Sequence, residues 1–351
     1  MLGTPPGDPK GVVDDDDPRS QIWDVLRAQW RFSALYAFTD LDIAAWLRDG
    51  PRTVAAVAER GGLDQPALAR LLRTAAGIGL VSTVRHPGEP LAYALTPAGR
   101  TLLDDAPRSM RSVVIPQGYP DFLEAMGLLN EAVRNGKSPF AARFGSMYGY
   151  LASHPDARHH FNAHMATRSH SIAEAAVAAY DFTGIGTIAD IGGGVGTVLA
   201  TILRAYPEAR GTLFELEPVI AEASTFLAAE GVADRCELMV GDFFMAVPEA
   251  DAFILSNIVH NWGDDDARTV LRNVRARVPR HGRVLLLDIL LPEDDRPHLG
   301  KELDMRMLAL YDGAQERTEA AYMALLADAG LRPSRVVELP YALSLVEALP
   351  C

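Results

Sequence analysis

The chain has 351 residues, room for two domains of ordinary size, and 48% of them are apolar, enough for a sizeable core. Its net charge of −13 disfavours non-specific contact with nucleic acid or an anionic membrane. Two cysteines, Cys236 and Cys351, cannot build a disulfide framework, no apolar run is long enough to span a bilayer, and no signal peptide is recognisable. A reducing cytoplasm is therefore the expected location.

Residues 1–18 are rich in Pro, Gly and Asp and read as a disordered acidic tail. From 19 to about 105 the pattern is helical and then briefly β. QIWDVLRAQWRFSALYAFTDLDIAAWL repeats apolar residues at helical spacing, and the next segment reads helix, turn, helix, strand. YALTPAGRTL closes a unit with the outline of a winged helix. A winged helix serves either to bind DNA or to dimerise. A DNA-reading helix should present several bases to phosphates, but PALARLLRTAAG offers only Arg70 and Arg73 in an acidic protein. Dimerisation is the better reading.

Residues 106–180 form a largely helical connector. Phe161 and Met165 stand four apart, as core residues on one helix face do. His160 and His164 share that spacing, but no third ligand at metal spacing accompanies them and HExxH is absent, so no metal site is expected.

From 181 to 351 strands and helices alternate about five times before a terminal strand pair, which predicts a mostly parallel sheet covered on both faces. IADIGGGVGT is the most informative stretch: an apolar strand ends near Asp190 and enters a glycine turn, and a helix follows. Gly192 and Gly194 let the backbone approach a ligand at the carboxyl end of the strand, where doubly wound sheets bind ligands. The spacing departs from the dinucleotide pattern GxGxxG. The next strand carries Glu215 near its end, placed to accept hydrogen bonds from ribose hydroxyls. The third ends at Asp242 and Phe243, a carboxylate and a ring suited to the amino edge and face of adenine. The fourth, in DAFILSNIVHNW, is followed by His260, and the acids after it begin a helix.

The series DIGGGVG, FELEP, GDFF, LSNIVHNW, LLLDILLP and AQERT resembles the S-adenosylmethionine-dependent small-molecule O-methyltransferases, which include plant phenylpropanoid enzymes and bacterial enzymes acting on aromatic polyketides such as anthracyclines. The resemblance covers residues 20–348, with the motifs in family order. It implies an α/β fold: a Rossmann-like class I methyltransferase domain with an N-terminal, mostly α winged-helix domain through which the protein forms a homodimer. It implies S-adenosylmethionine as cofactor, held by Ser169, Asp190, Gly192, Gly194, Glu215, Leu216, Gly241, Asp242, Phe243, Ser256 and Trp262, with Ser169 at the methionyl end and Trp262 near the adenine. It implies a small aromatic acceptor lying among Phe161, Met165, Asn261, Arg306, Met307 and Tyr311, with Asp304 as a further polar residue.

Methyl transfer from a sulfonium needs no acid for its leaving group, but it needs a nucleophilic oxygen. A phenol is mostly protonated at neutral pH, and a histidine can take its proton. His260 is that candidate. By family position Asp288, at the end of the LLLDILLP strand, and Glu316 stand beside the base, and either could orient it. The chain also departs from the plant members. It has Ser256 where they commonly have a lysine, and Tyr311, Asp312, Gly313 and Ala314 where they have Asn and paired glycines. DMRMLALYDG is closer to bacterial polyketide-tailoring relatives, so the expected acceptor is a polyketide-derived phenol. Some such relatives keep the cofactor for hydroxylation, decarboxylation or pericyclic chemistry; His260 with both acids favours methylation.

Overall fold

The computed structural model describes residues 17–107 and 109–351; the tail expected over 1–18 falls almost wholly outside them. The chain divides into two compact units, Met1–Tyr119 and Pro120–Cys351.

The first unit opens with the helix Arg19–Asp40, on which Ile22, Trp23, Val25, Leu26 and Trp30 are exposed. Helices Val54–Gly61 and Gln65–Gly77 follow, their first turns capped by Thr53 and Asp64, whose side chains accept from Ala56 N and Ala67 N. Strands β1 (Arg52–Thr53), β2 (Val81–Val84) and β3 (Ala92–Leu95) form an antiparallel sheet in the order β1-β3-β2. Two helices ahead of a β2–β3 hairpin complete the winged-helix outline. Phe38, Ile43, Leu47, Leu72 and Tyr93 fill its core. The unit extends beyond residue 105, because the helix Arg111–Gln117 returns against the first one and the Arg111 guanidinium donates to Thr39 O.

The second unit is built on β4 (Thr187–Ile191), β5 (Arg210–Glu215), β6 (Cys236–Val240), β7 (Ala252–Ser256), β8 (Arg283–Leu291), β9 (Arg317–Thr318), β10 (Leu331–Glu338) and β11 (Leu343–Pro350). Their order is β10-β11-β8-β7-β4-β5-β6, with β9 pairing β8. The strands from β8 to β6 are parallel, while β11 runs antiparallel between β8 and β10. Central strands are apolar on both faces because both are covered. Ile188, Leu213, Ile254, Leu285 and Leu287 enter one core, with the helices Pro155–Ala179, Thr197–Ala205 and Glu217–Ala229. Ala189, Ile191, Phe253, Leu255, Val284 and Leu286 enter the other, with Asp264–Arg277 and Glu319–Asp328.

Two details differ from expectation. The alternation lapses between β6 and β7, where Asp242 Oδ1 accepts from Phe244 N to form a turn. Val247 and Ala250 of that loop fill the core without a helix, and Pro248 stands between them. Asp288 does not end its strand: β8 runs on to Leu291, because Leu290 and Leu291 pair with Arg317 and Thr318 of β9.

Candidate active site

The carboxyl ends of β4, β5, β6 and β7 meet around the glycine turn. Gly192 has φ 67°, and a Cβ there would fall 2.7 Å from Ile258 Cδ1 and 3.4 Å from the Phe243 ring. Gly193 is the tighter constraint, since its Cβ would fall 2.4 Å from the Asp190 carboxyl. Asp190 is fully buried and neither oxygen has a hydrogen-bond partner. Burial, reinforced by the charge of Glu215, pushes it up to about 7. Glu215 accepts from Gly194 N at 3.1 Å and Leu216 N at 2.8 Å, yet burial still raises its pKa.

Phe243 meets Trp262 edge-on at 6.0 Å between ring centroids, and Phe244 does so at 4.7 Å. The structure therefore brings Gly192, Phe243 and Trp262 together. Asp242 and Leu216 are exposed near the same strand ends. Gly241 owes its lack of a side chain to packing, because a Cβ there would meet the Phe214 ring at 2.4 Å. Ser256 accepts from Asn257 Nδ2 at 3.3 Å.

His260 lies in the short 3₁₀ turn Val259–Asn261 that follows β7 and is almost wholly buried. Its Nδ1 is 3.0 Å from Glu316 Oε1 and 4.0 Å from Asp288 Oδ1, so both expected acids face one ring nitrogen and Glu316 makes the contact. Asp288 is fully buried. Burial pushes it up to about 6, opposed by His260 and reinforced by Glu316, and the buried Tyr322 hydroxyl favours its charged form.

Three residues that hold this arrangement escaped the sequence reading. Asn257 has φ 54°, a left-handed conformation that Asn tolerates better than most side chains. Its amide bonds Leu287 O at 2.9 Å, its carbonyl accepts from Asn261 Nδ2 at 2.9 Å, and it turns the chain from β7 into the His260 turn. Gln315 N donates to His260 O at 2.9 Å. Arg317 is buried and donates to Val259 O at 3.1 Å, Trp262 O at 2.7 Å and Asp264 Oδ1 at 2.9 Å, gripping both flanks of the turn. Its place inside AQERT was the available signal. Glu316 is steadied in turn, its amide donating to Asp304 Oδ1 at 2.8 Å.

A third group approaches these acids from the helices Pro155–Ala179 and Leu299–Leu310. Burial depresses the Arg168 guanidinium, with the charges of Glu316 and Asp288 opposing and Arg306 adding to the fall. Burial likewise pushes His164 down to about 4, helped by Arg306 and Arg168. Tyr311 is raised by burial against the pull of both arginines. Tyr148, 55% exposed, lies within electrostatic reach of Tyr311 and of Glu215 at the glycine turn. Phe161, Met165 and Ser169 are half-buried on the helix that carries Arg168. Met307 is buried, and its carbonyl accepts from Tyr311 N at 3.0 Å. Arg168 and Tyr148 were missed; the signal for Arg168 was a cation one turn from Met165 on a face that otherwise reads as core.

A Rossmann-like domain with acids at successive strand ends, a buried histidine with two carboxylates on one ring nitrogen and a winged-helix unit fit the class of two-domain small-molecule methyltransferases. Comparison with known proteins gives the family. The O-methyltransferase domain matches residues 127–332 and the O-methyltransferase dimerisation domain matches residues 23–105. Phenazine O-methyltransferase PhzM of Lysobacter antibioticus is 39% identical over 333 residues, covering 94% of this chain and 96% of that protein. The 8-amino-8-demethylriboflavin N,N-dimethyltransferase of Streptomyces davaonensis is 37% identical over 302 residues, 84% of this chain and 85% of that protein. Among solved structures, CalO1, a methyltransferase in calicheamicin biosynthesis in its SAH-bound form, superposes with a TM-score of 0.84 at 34% identity, over 97% of this chain and 100% of that one. The chain belongs to the O-methyltransferase family and is an S-adenosylmethionine-dependent O-methyltransferase with an N-terminal dimerisation domain.

Proposed function

We propose that the enzyme methylates a phenolic hydroxyl of an aromatic, polyketide-derived natural product, with His260 as general base. The observation that carries this reading is the 3.0 Å contact between His260 Nδ1 and Glu316 Oε1. A proton held on Nδ1 by that carboxylate leaves Nε2 with the free lone pair, the tautomer a base requires. Asp288, buried beside Glu316, adds negative charge that favours the imidazolium formed when the ring takes the phenolic proton. General-base assistance is worth roughly 10²–10⁴-fold. Alignment of the oxygen contributes as well, and here the helices bearing Phe161, Met165, Arg306 and Met307, together with Asn261 and with Tyr311 just past the second helix, would supply it.

The residues at the glycine turn fit the cofactor. Asp190 presents two buried carboxyl oxygens without partners, and a Cβ built on Gly194 meets no heavy atom within 4 Å. Asp190, Gly192, Gly194, Glu215, Leu216, Gly241, Asp242, Phe243, Ser256 and Trp262 would hold it, with Ser169 at its methionyl end. Bound there, S-adenosylmethionine supplies the electrophilic methyl group. The dimerisation domain and its row of exposed apolar residues support a homodimer, and two free cysteines suit a reducing cytoplasm.

The test is incubation with methyl-labelled S-adenosylmethionine and a panel of hydroxylated polycyclic arenes, followed by mass spectrometry. A product heavier by one labelled methyl, and lost in His260→Ala, is the expected result. A panel compound altered without gaining label would replace methylation with the non-methylating chemistry of some bacterial relatives. Transfer to an arylamine in preference to the matched phenol would move the acceptor atom from oxygen to nitrogen.

A further inference from the structure

Glu316 meets His260 through Oε1. Its other carboxyl oxygen, Oε2, is buried and has no partner among the described residues, so no second bond fixes the carboxylate against the ring. The angle at which it reaches Nδ1 is therefore set by where the backbone of Glu316 is held. That residue stands one ahead of β9, whose pairing with β8 begins at Arg317. On one side Gln315 N is tied to His260 O, and on the other Arg317 grips Val259 O and Trp262 O. The amide of Glu316 itself donates at 2.8 Å to Asp304 Oδ1, twelve residues back on the helix Leu299–Leu310. The two ends of the segment 304–316 are thereby joined. Buried Ser138 pins the middle, its Oγ donating to Ala309 O at 2.8 Å and its N to Asp312 Oδ1 at 3.0 Å. Burial raises the Asp304 carboxyl above the usual carboxylate range, the Glu316 amide pulls it back, and the charge of Glu316 adds to the rise. The amide needs an oxygen at this point, whereas a second negative charge beside Glu316 is a cost.

We propose that Asp304 is a positioning residue for methyl transfer: its Oδ1 holds the Glu316 backbone where the Glu316 carboxylate keeps the His260 proton on Nδ1. The effect on rate rests on His260 being the base, the reading given above; the effect on the tautomer does not. A carboxylate that touched the acceptor would act on acceptor binding instead, and substitutions separate the two roles.

The test reads the imidazole directly. Nitrogen-15 spectra of histidine-labelled protein at pH 8, saturated with S-adenosylhomocysteine and free of acceptor, report which ring nitrogen carries the proton, and the His260→Gln spectrum identifies the signals. Wild type should show a protonated Nδ1 and a bare Nε2. Asp304→Asn, which keeps the oxygen and drops the charge, should match it. Asp304→Glu keeps the charge but carries the oxygen one methylene further, and Asp304→Ala supplies none; both should show the proton shared between the two nitrogens. With the polycyclic phenol that gains label in the assay above, these two should lower kcat about tenfold to hundredfold, as a misplacement of about 1 Å does, with KM unchanged. Affinity for S-adenosylhomocysteine, equal in wild type and variants, reports that they are folded; if Asp304→Ala fails that check, the Asn and Glu variants decide the matter. A wild-type tautomer in Asp304→Glu and Asp304→Ala overturns the proposal. So does an Asp304→Asn variant that behaves like Asp304→Ala, since the charge would then be what matters, and so does a raised KM with unchanged kcat, which would make Asp304 an acceptor contact. A tautomer that follows Asp304 as described, with no labelled methyl reaching any hydroxyl, would sustain the positioning role and remove the base reading.

Discussion

Asp190→Asn should stabilise the ligand-free protein while weakening its hold on the cofactor. The buried Asp190 carboxyl stands at about 7 against an ordinary value of 3.8, chiefly through burial and then through Glu215. At about 1.4 kcal/mol per pH unit, the charged form costs the folded state up to about 4 kcal/mol. The sign follows from proton binding. Below pH 3.8 the group is protonated in both states and contributes nothing. Between 3.8 and about 7 the folded state keeps a proton that the unfolded state has lost, so stability falls as pH rises, and above about 7 the full cost is present. Asparagine keeps the shape without the charge. Urea unfolding of wild type and variant at pH 4.5, 6 and 8, followed by circular dichroism, should show a gap that opens with pH in favour of the variant. S-adenosylhomocysteine should close or reverse it, because only wild type offers a carboxylate to the ligand's donors. A gap independent of pH, or a wild type more stable at pH 8 without ligand, would refute the reasoning.

Glu316→Gln keeps an oxygen for the His260 Nδ1 proton but removes the charge, so kcat should fall less than in Glu316→Ala; both should lie within the roughly 10²–10⁴-fold loss of His260→Ala, with KM little changed. Because Asp288 stands at about 6, its charge is present above that pH and absent below, so Asp288→Asn should lower kcat more above pH 6 than below it, as pH–rate profiles of both proteins would show. Arg317→Met strips Val259 O and Trp262 O of their donor and should destabilise the fold by roughly 3 kcal/mol, with kcat falling further than substoichiometric unfolding would explain; thermal denaturation beside steady-state rates separates the two effects. Trp30→Glu, in the exposed row of the first helix, should give a monomer by light scattering, whereas the same change at a position outside an interface would leave the mass unaltered.

Much of the second unit was legible because its signals are local. A central parallel strand is mostly apolar on both faces, and residues 188–191, apart from Asp190, and 252–255 say so in a few letters. A polar residue placed at or just after the end of such a run lands at a strand's carboxyl end whatever the rest of the chain does, which is why Asp190, Glu215 and His260 could be placed. The residues that escaped act across the fold. Arg317 reaches the His260 turn only because β9 pairs with β8, and nothing in AQERT announces that pairing. The same pairing carries β8 past Asp288, where the sequence invited a stop. Arg168 looked like one polar residue on an ordinary helix; its surroundings come from residues more than a hundred positions later. Asn257 owes its importance to one backbone angle, and asparagines occur in many turns that need none. The boundary of the first unit is a long-range matter too, set by a helix that returns to pack on the first.

His260 and the residues around it hang from sheet backbone: His260 after β7, Asp288 on β8, and Glu316 and Arg317 at β9. The cations and rings that would greet the acceptor ride on two helices, Pro155–Ala179 and Leu299–Leu310, and none of them hydrogen-bonds His260 among the described residues. On the proposed reading, chemistry and choice of molecule are thus mounted on separate parts. If His260 is the base, a lineage can redecorate the helices to suit a new acceptor and inherit it working, and an engineer seeking altered selectivity should randomise positions 161, 165, 168 and 306 before touching anything on the strands.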